Sequence, residues 1–276
     1  MITSRFLATS AIGKSDMLSE VKALVIRTVD LSEHDKLLTL FTEEHGKITA
    51  VANGSRTLKS RYLAAAQLFC YASFVLYQKG DRYWVREVTL IESFFELRTD
   101  LARTALASYV CDVAADVVEE NAPEPEMLSL SLNTLFAIAS GAYPLSLVKA
   151  VFELRAAAVL GFCPMLDGCM HCGRTDATLC LDVMNGGLSC ADCRATQGIL
   201  PAADDGEFRT ASILCPLSPG AHAAMCYVVS CPPKRLFSFR IEEEDARLFS
   251  AAAEKYLLNQ LERGFQTLDF YKQIAT

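Results

Sequence analysis

Lys36-Leu37-Leu38-Thr39-Leu40-Phe41-Thr42-Glu43 and Gly46-Lys47-Ile48-Thr49-Ala50-Val51-Ala52, joined through Glu44-His45, decide the fold of the first part of this chain. Both runs are rich in β-branched and apolar residues, and Gly46 permits the positive φ that a tight connection needs. They read as a hairpin. Upstream, residues 20–28 (Glu-Val-Lys-Ala-Leu-Val-Ile-Arg-Thr) have the same character and predict another strand. Downstream, 68–78 and 82–92 predict a second hairpin, with Gln78-Lys79-Gly80-Asp81 at its turn and Tyr, Trp and Val in its arms. Five short strands in about seventy residues predict a small closed barrel. An OB-fold fits, a five-stranded Greek-key barrel whose open face binds oligonucleotides.

Near Leu97 the apolar period changes from two to about 3.6. Leu101, Ala105, Tyr109, Val113 and Val117 stand at helical spacing within 99–120, and the two prolines of Asn121-Ala122-Pro123-Glu124-Pro125 interrupt the pattern. Two more helices are predicted over 126–140 and 144–160, broken at Gly141-Ala142-Tyr143-Pro144. The segment 205–235 has no decisive pattern. Ile241 to Arg263 predicts an amphipathic closing helix with Phe249, Tyr256, Leu257 and Leu261 inward. At 276 residues and 51% hydrophobic, the chain has room for well-formed cores in more than one domain. The expected organisation is multi-domain α+β: an extension over 1–19, the barrel over 20–95, and a helical domain over 96–162 and 200–276. A four-cysteine zinc knuckle over 163–199 is inserted into the helical domain.

That knuckle rests on Cys169 and Cys172, one C-x-x-C, and Cys190 and Cys193, a second, seventeen residues apart. Two short knuckles supply four thiolates to one tetrahedral ion, and an all-thiolate site is closed to water and substrate, hence structural. Disulfides or buried thiols are the competing reading. Eleven cysteines and no secretion signal favour metal ligation in a reducing cytoplasm. His171 and Cys180 compete as ligands; His171 is expected outside the coordination sphere because it adjoins Cys172. Cys215, Cys226 and Cys231 read as ordinary core or loop thiols.

A formal net charge of −7 argues, taken whole, against a nucleic-acid binder. The distribution argues the reverse. Residues 47–86 carry Lys47, Arg56, Lys59, Arg61, Lys79, Arg82 and Arg86 against Asp81 alone, a net of +6. Residues 91–276 hold 14 basic and 24 acidic groups, a net of −10. Fields decay over about 8 Å at physiological salt, so an acidic remainder need not cancel a local basic face. Single strands are held by cations along the phosphates and aromatic faces under the bases. Tyr62, Tyr77, Tyr83 and Trp84 supply the aromatics. Adjacent Tyr83 and Trp84 must face opposite ways on a strand, and Trp84 is expected inside the barrel.

Enzymatic constellations are missing from the sequence. There is no P-loop, G-x-S-x-G, H-E-x-x-H or G-x-G-x-x-G, and no H-x-E such as a zinc deaminase needs. Glu119-Glu120 and the run Glu242 to Asp245 read as solvated helix ends.

The run Leu40 to Ser60, with its Glu43-Glu44-His45-Gly46-Lys47 turn and Asn53-Gly54-Ser55-Arg56-Thr57-Leu58-Lys59, resembles the barrel of the RecO family of bacterial recombination and repair mediators. So does Val151-Phe152-Glu153-Leu154-Arg155, continuing through Leu160-Gly161-Phe162-Cys163-Pro164 to Cys169-Met170-His171-Cys172-Gly173. The closing Arg235-Leu236-Phe237-Ser238-Phe239 and its helix are also similar. The resemblance implies a protein without catalytic turnover. It would bind single- and double-stranded DNA, anneal complementary strands, work with RecR, contact the single-strand-binding protein and help load recombinase. It implies Arg56 and Lys59 as DNA contacts, with Arg61 beside them, and one structural zinc. No membrane or small-molecule partner is expected. The acidic tail of the single-strand-binding protein would need basic groups, for which Arg98, Arg103, Lys149 and Arg155 are the candidates. The family usually has a basic residue where this chain has Asn53. The first sixteen residues have no counterpart there, which makes Met17 the alternative start. Two other readings stay open: a zinc-supported interaction scaffold with no nucleic-acid contact, and an enzyme with an unrecognised site.

Overall fold

The computed structural model describes residues 18–57, 60, 62–80, 82–197 and 212–275; the extension expected ahead of residue 18 lies outside them. Five strands, β1 (Leu18–Asp30), β2 (Lys36–Thr42), β3 (Gly46–Ala52), β4 (Tyr71–Lys79) and β5 (Arg82–Glu92), close into a barrel of order β1-β2-β3-β5-β4. All neighbours are antiparallel except β3 and β5, which meet in parallel over Ala50–Tyr83 and Val51–Trp84 alone. The barrel interior is lined by small and aliphatic residues. Ala23, Ala50, Ala52 and Ala72 are wholly buried around Leu38, Leu40, Phe74 and Leu76. Small side chains let a five-stranded barrel close without voids.

β1 has two apolar faces. Val21, Ala23 and Val25 point into the barrel, whereas Leu24 and Ile26, with Phe41, Phe69 and Phe94, belong to the core of the helical region. Strand alternation thus makes one strand the wall of two cores.

The helical region begins with α1 (Leu101–Val117), capped by Asp100, whose Oδ1 accepts from Arg103 N at 2.9 Å. α2 (Pro125–Ser140) starts with Pro at its first position and ends at Gly141, φ 64°. Next come α3 (Leu145–Val159), a small sheet of β6 (Met165–Cys169), β7 (Leu179–Asp182), β8 (Gly187–Cys190) and β9 (Leu214–Pro216), and α4 (Ala191–Gln197). The sheet order is β6-β8-β7-β9. α5 (Pro219–Ser230), α6 (Glu243–Gln260) and α7 (Gln266–Ile274) complete the chain.

An ionic network joins α1, α3, α6 and α7. Lys149 Nζ lies 2.8 Å from both Glu153 Oε2 and Glu254 Oε2, Lys272 Nζ lies 2.6 Å from Glu254 Oε1, and Tyr109 Oη donates to Glu153 Oε1 at 3.1 Å. Burial opposes the Lys149 ammonium, but Glu153 and Glu254 outweigh it and hold its pKa above the usual lysine value. Burial likewise pushes the Glu153 carboxyl up, to about 7. Glu254 is only half-buried and sits between two lysines, so its carboxyl is held below the ordinary glutamate value despite desolvation.

The barrel and the α1–α2 linker are stitched at Gly46. Lys47 N donates to Glu119 O at 3.1 Å, and Gly46 and Lys47 bridge to Glu120. Gly46 has φ 59°, and a Cβ there would stand 2.1 Å from Ala122 O. Only glycine tolerates both the conformation and the approach.

Candidate nucleic-acid interface and metal centre

β5 carries the most regular cationic feature of the barrel. Val85 is buried and pairs with Leu76, a wholly buried interior residue, so its neighbours face outward. Arg82, Trp84 and Arg86 therefore share the outer face, the two arginines exposed and Trp84 half-buried. Two-residue spacing sets Arg82 and Trp84 about 6.6 Å apart; Arg86 is the extra residue at the register shift between Leu76–Val85 and Val75–Glu87. Trp84 pairs with Tyr77 of β4, their rings stacked at 6.3 Å between centroids and 17° between planes. Lys79 pairs with Arg82 in the same register, which places it at the same end of the hairpin; its side chain lies outside the described residues.

Trp84 is thus outside the barrel, contrary to the sequence expectation, and Tyr83 is the residue that packs against the barrel core. The physical reason is space. An interior filled by Leu38, Leu40, Phe74 and Leu76 among alanines takes Val85 from β5 and has no room for an indole.

The basic residues expected at the interface occupy three different places. Arg82 and Arg86 lie on the stripe. Arg56 lies on the β3–β4 loop and is braced: Nη1 donates to Ser32 O at 2.5 Å, Nη2 is 3.3 Å from Asp30 Oδ2, and its backbone N donates to His34 O. The same loop is pinned by Gly54 N donating to Asp35 Oδ1 at 2.7 Å. That bond and the Ser32 hydroxyl hold the Asp35 carboxyl below the usual aspartate value. Tyr62 Oη donates to Arg86 O at 2.5 Å, tying the end of the loop to β5. Lys47 instead sends its ammonium to Ala115 O, 2.7 Å away on α1. Lys59 and Arg61 lie outside the described residues.

The four cations considered for an acidic tail are committed elsewhere. Lys149 is buried in the ionic network. Arg155 donates to Val228 O and Val229 O, Arg103 to Ala139 O, and Arg98 to Ser93 O and Leu68 O. Each of the three arginines satisfies carbonyls at a helix or loop end, a role that spacing in the sequence does not distinguish from a surface cation.

The cysteines do come together. The sulfurs of Cys169, Cys172, Cys190 and Cys193 all lie within 4.8 Å of one another and could hold a metal ion. Cys169 ends β6, Cys190 ends β8 beside it, and Cys193 is on α4. Cys172 Sγ is 3.8 Å from Cys190 Sγ, which is about the edge of a tetrahedron whose corners stand some 2.3 Å from a central ion. Backbone N–H groups point at the sulfurs, with Cys190 N 3.3 Å from Cys169 Sγ and Cys193 N 3.5 Å from Cys190 Sγ. Burial disfavours the Cys169 thiolate, but backbone N–H donation from His171, Cys190 and Cys172 outweighs it and lowers the pKa to about 6. The donor set therefore fits a metal that binds thiolates. His171 and Cys180 stand outside the cluster, as the sequence suggested for His171.

Residues 17–94 match the family model described as recombination protein O N terminal, and 98–269 match recombination protein O C terminal. The chain is 32% identical over 257 residues to the DNA repair protein RecO of Acetivibrio thermocellus, covering 92% of this chain and 96% of the relative. It is 27% identical over 260 residues to that of Caldanaerobacter subterraneus, covering 93% and 98%. To that of Desulfitobacterium hafniense it is 38% identical over 182 residues, covering 65% and 66%.

Proposed function

The chain belongs to the recombination protein O family, and from that premise we propose that it is a DNA-binding mediator of recombination and repair that acts without catalytic turnover. The supporting observation is the outward stripe Arg82-Trp84-Arg86 with Tyr77 stacked beside it. It alternates a guanidinium fork for phosphate oxygens with a flat aromatic surface for bases. Arg56 adds a cation on the β3–β4 loop; Lys59, Arg61 and Lys79 are further candidate phosphate contacts, whose side chains lie outside the described residues. Lys47 contributes through the fold of the seam rather than through a phosphate. Binding of single- and double-stranded DNA without base-pair readout permits annealing, because cations that neutralise two backbones let complementary strands approach.

Within this reading the protein works in the cytoplasm with RecR and with the single-strand-binding protein to load recombinase. A cavity of about 1180 Å³ between α3 and α6 is the candidate seat for the tail of the latter. Tyr143, Phe237, Phe239 and Ile241 offer apolar surface there, while Arg240, Arg247 and Lys255 stand among Glu242, Glu243 and Glu254, so the apolar contacts carry the assignment. The four-cysteine cluster takes one structural Zn2+, which crosslinks β6, β8 and α4.

The test is fluorescence anisotropy of a labelled single strand across a salt series, with strand annealing in parallel. Arg82→Ala/Arg86→Ala should weaken binding and flatten the slope of log K against log salt by about 1.4, two contacts at about 0.7 each. Unchanged affinity and slope would favour the scaffold reading instead.

A further inference from the structure

A cavity of about 310 Å³ opens at the seam between the barrel and the α1–α2 linker. It stands at the small end of ligand sites, which run from about 300 to 1,000 Å³, so it admits a single ring system rather than a strand. Its inner wall is apolar: Leu37, Ile48 and Val51, the last two almost fully buried. Val51 belongs to neither packed core and faces outward under the linker. Tyr83 brings an aromatic ring to one side, and Arg82, the first cation of the stripe, lines the same cavity. Glu120 and Asn121 close the other side. The Glu120 backbone is held by the bridges from Gly46 and Lys47, and Asn121 keeps φ 58°, a left-handed conformation that asparagine tolerates.

We infer that this cavity receives one nucleobase of a bound single strand and prefers a base with an exocyclic amine, guanine above all. The inference rests on the reading that the barrel binds single-stranded DNA. Arg82 belongs to both features, so a strand lying along the stripe delivers its next nucleotide to the opening. The apolar wall and Tyr83 accept the faces of the base. The Glu120 carboxylate is an acceptor only, so it selects edges that donate. Guanine presents two adjacent donors, and cytosine and adenine present one amine. Thymine sets carbonyl oxygens on both sides of its single N–H and repels the carboxylate.

The test uses the full-length protein and oligo-dT strands whose central nucleotide is dT, dG, dA, dC or abasic, at fixed salt. One dG should tighten binding roughly ten- to a hundredfold over dT, the worth of one charge-assisted hydrogen bond, with dA and dC between. Glu120→Ala should abolish the preference. Thr49→Phe, which fills the cavity from the outer face of β3, should abolish it too while leaving the salt slope of oligo-dT binding unaltered. Equal affinity for all five strands, with salt-sensitive binding intact, overturns this inference and leaves the DNA reading standing. A preference that survives both substitutions also overturns it. Failure to bind any of the strands removes the DNA reading, and this inference with it.

Discussion

Removing the Lys149 ammonium is the most telling perturbation of the scaffold. Lys149→Met keeps the length and apolar character of the stem but deletes a charge that stands 2.8 Å from two carboxylates. Glu254 keeps Lys272 as a partner, whereas Glu153 is wholly buried and retains only the Tyr109 hydroxyl among the described residues. Breaking a buried pair by removing one partner costs about 3–5 kcal/mol. The cost should depend on pH in a defined way. The folded-state pKa of Glu153 is raised to about 7 from the ordinary glutamate value of 4.5. Its contribution to stability is therefore fully present below pH 4.5 and lost as pH rises through 7. In the parent that loss is nearly complete just above neutrality. Without Lys149 the carboxyl is pushed higher still, so the loss continues above about pH 7 by about 1.4 kcal/mol per pH unit. The gap between parent and variant should be nearly flat from about pH 5 to 6.5 and widen from about pH 7 to 8. Urea unfolding followed by far-UV circular dichroism reads the helices. Fluorescence of Trp84, the one tryptophan of the chain, reads the barrel. Lys149→Met/Glu153→Gln should recover more than half of the loss at about pH 8 and remove the pH dependence. A pH-independent gap, or a double variant no more stable than the single one, would refute the assignment.

Two further outcomes are expected. Gly46→Ala should cost at least about 3 kcal/mol, because the left-handed backbone adds about 1–2 kcal/mol and the new Cβ collides with Ala122 O; Gly54→Ala, at φ 65° with nothing within 4 Å, should cost only the backbone part, and thermal melts of the two variants compare them directly. Cys190→Ser, or chelation of the reduced protein, should release stoichiometric zinc by elemental analysis and raise hydrogen exchange over β6 to β8, while the Trp84 fluorescence of the barrel stays unchanged.

The barrel was legible because strand period, turn glycines and small interior residues agree with one another. The β2–β3 hairpin runs Lys36–Thr42 and Gly46–Ala52, within a residue of the pattern in the sequence. The cysteine cluster was legible because its ligand spacing is local. What escaped was set by long-range register or by local chemistry without periodicity. Which of Tyr83 and Trp84 faces inward depends on the β4 partner, since pairing Trp84 with Tyr77 sends Val85 inside. α5 was missed because Ala221, Ala224, Met225 and Val228 are buried among cysteines and other apolar residues, with little polar contrast to mark a face. α7 was missed because it has only nine residues, and Leu268 and Tyr271 are its only buried positions. Arg98, Arg103 and Arg155 look in the sequence like surface cations, but they spend their guanidiniums on main-chain carbonyls.

β1 carries a lesson for dissection of the molecule. Its Leu24 and Ile26, together with Phe41, face the helices and not the barrel lumen. A fragment ending after β5 would leave this greasy flank wet and would self-associate, so its behaviour toward oligonucleotides would report on clumping instead of recognition. Conversely, helices deprived of β1 would lose part of their own interior. The unit on which strand handling must be measured is the intact polypeptide.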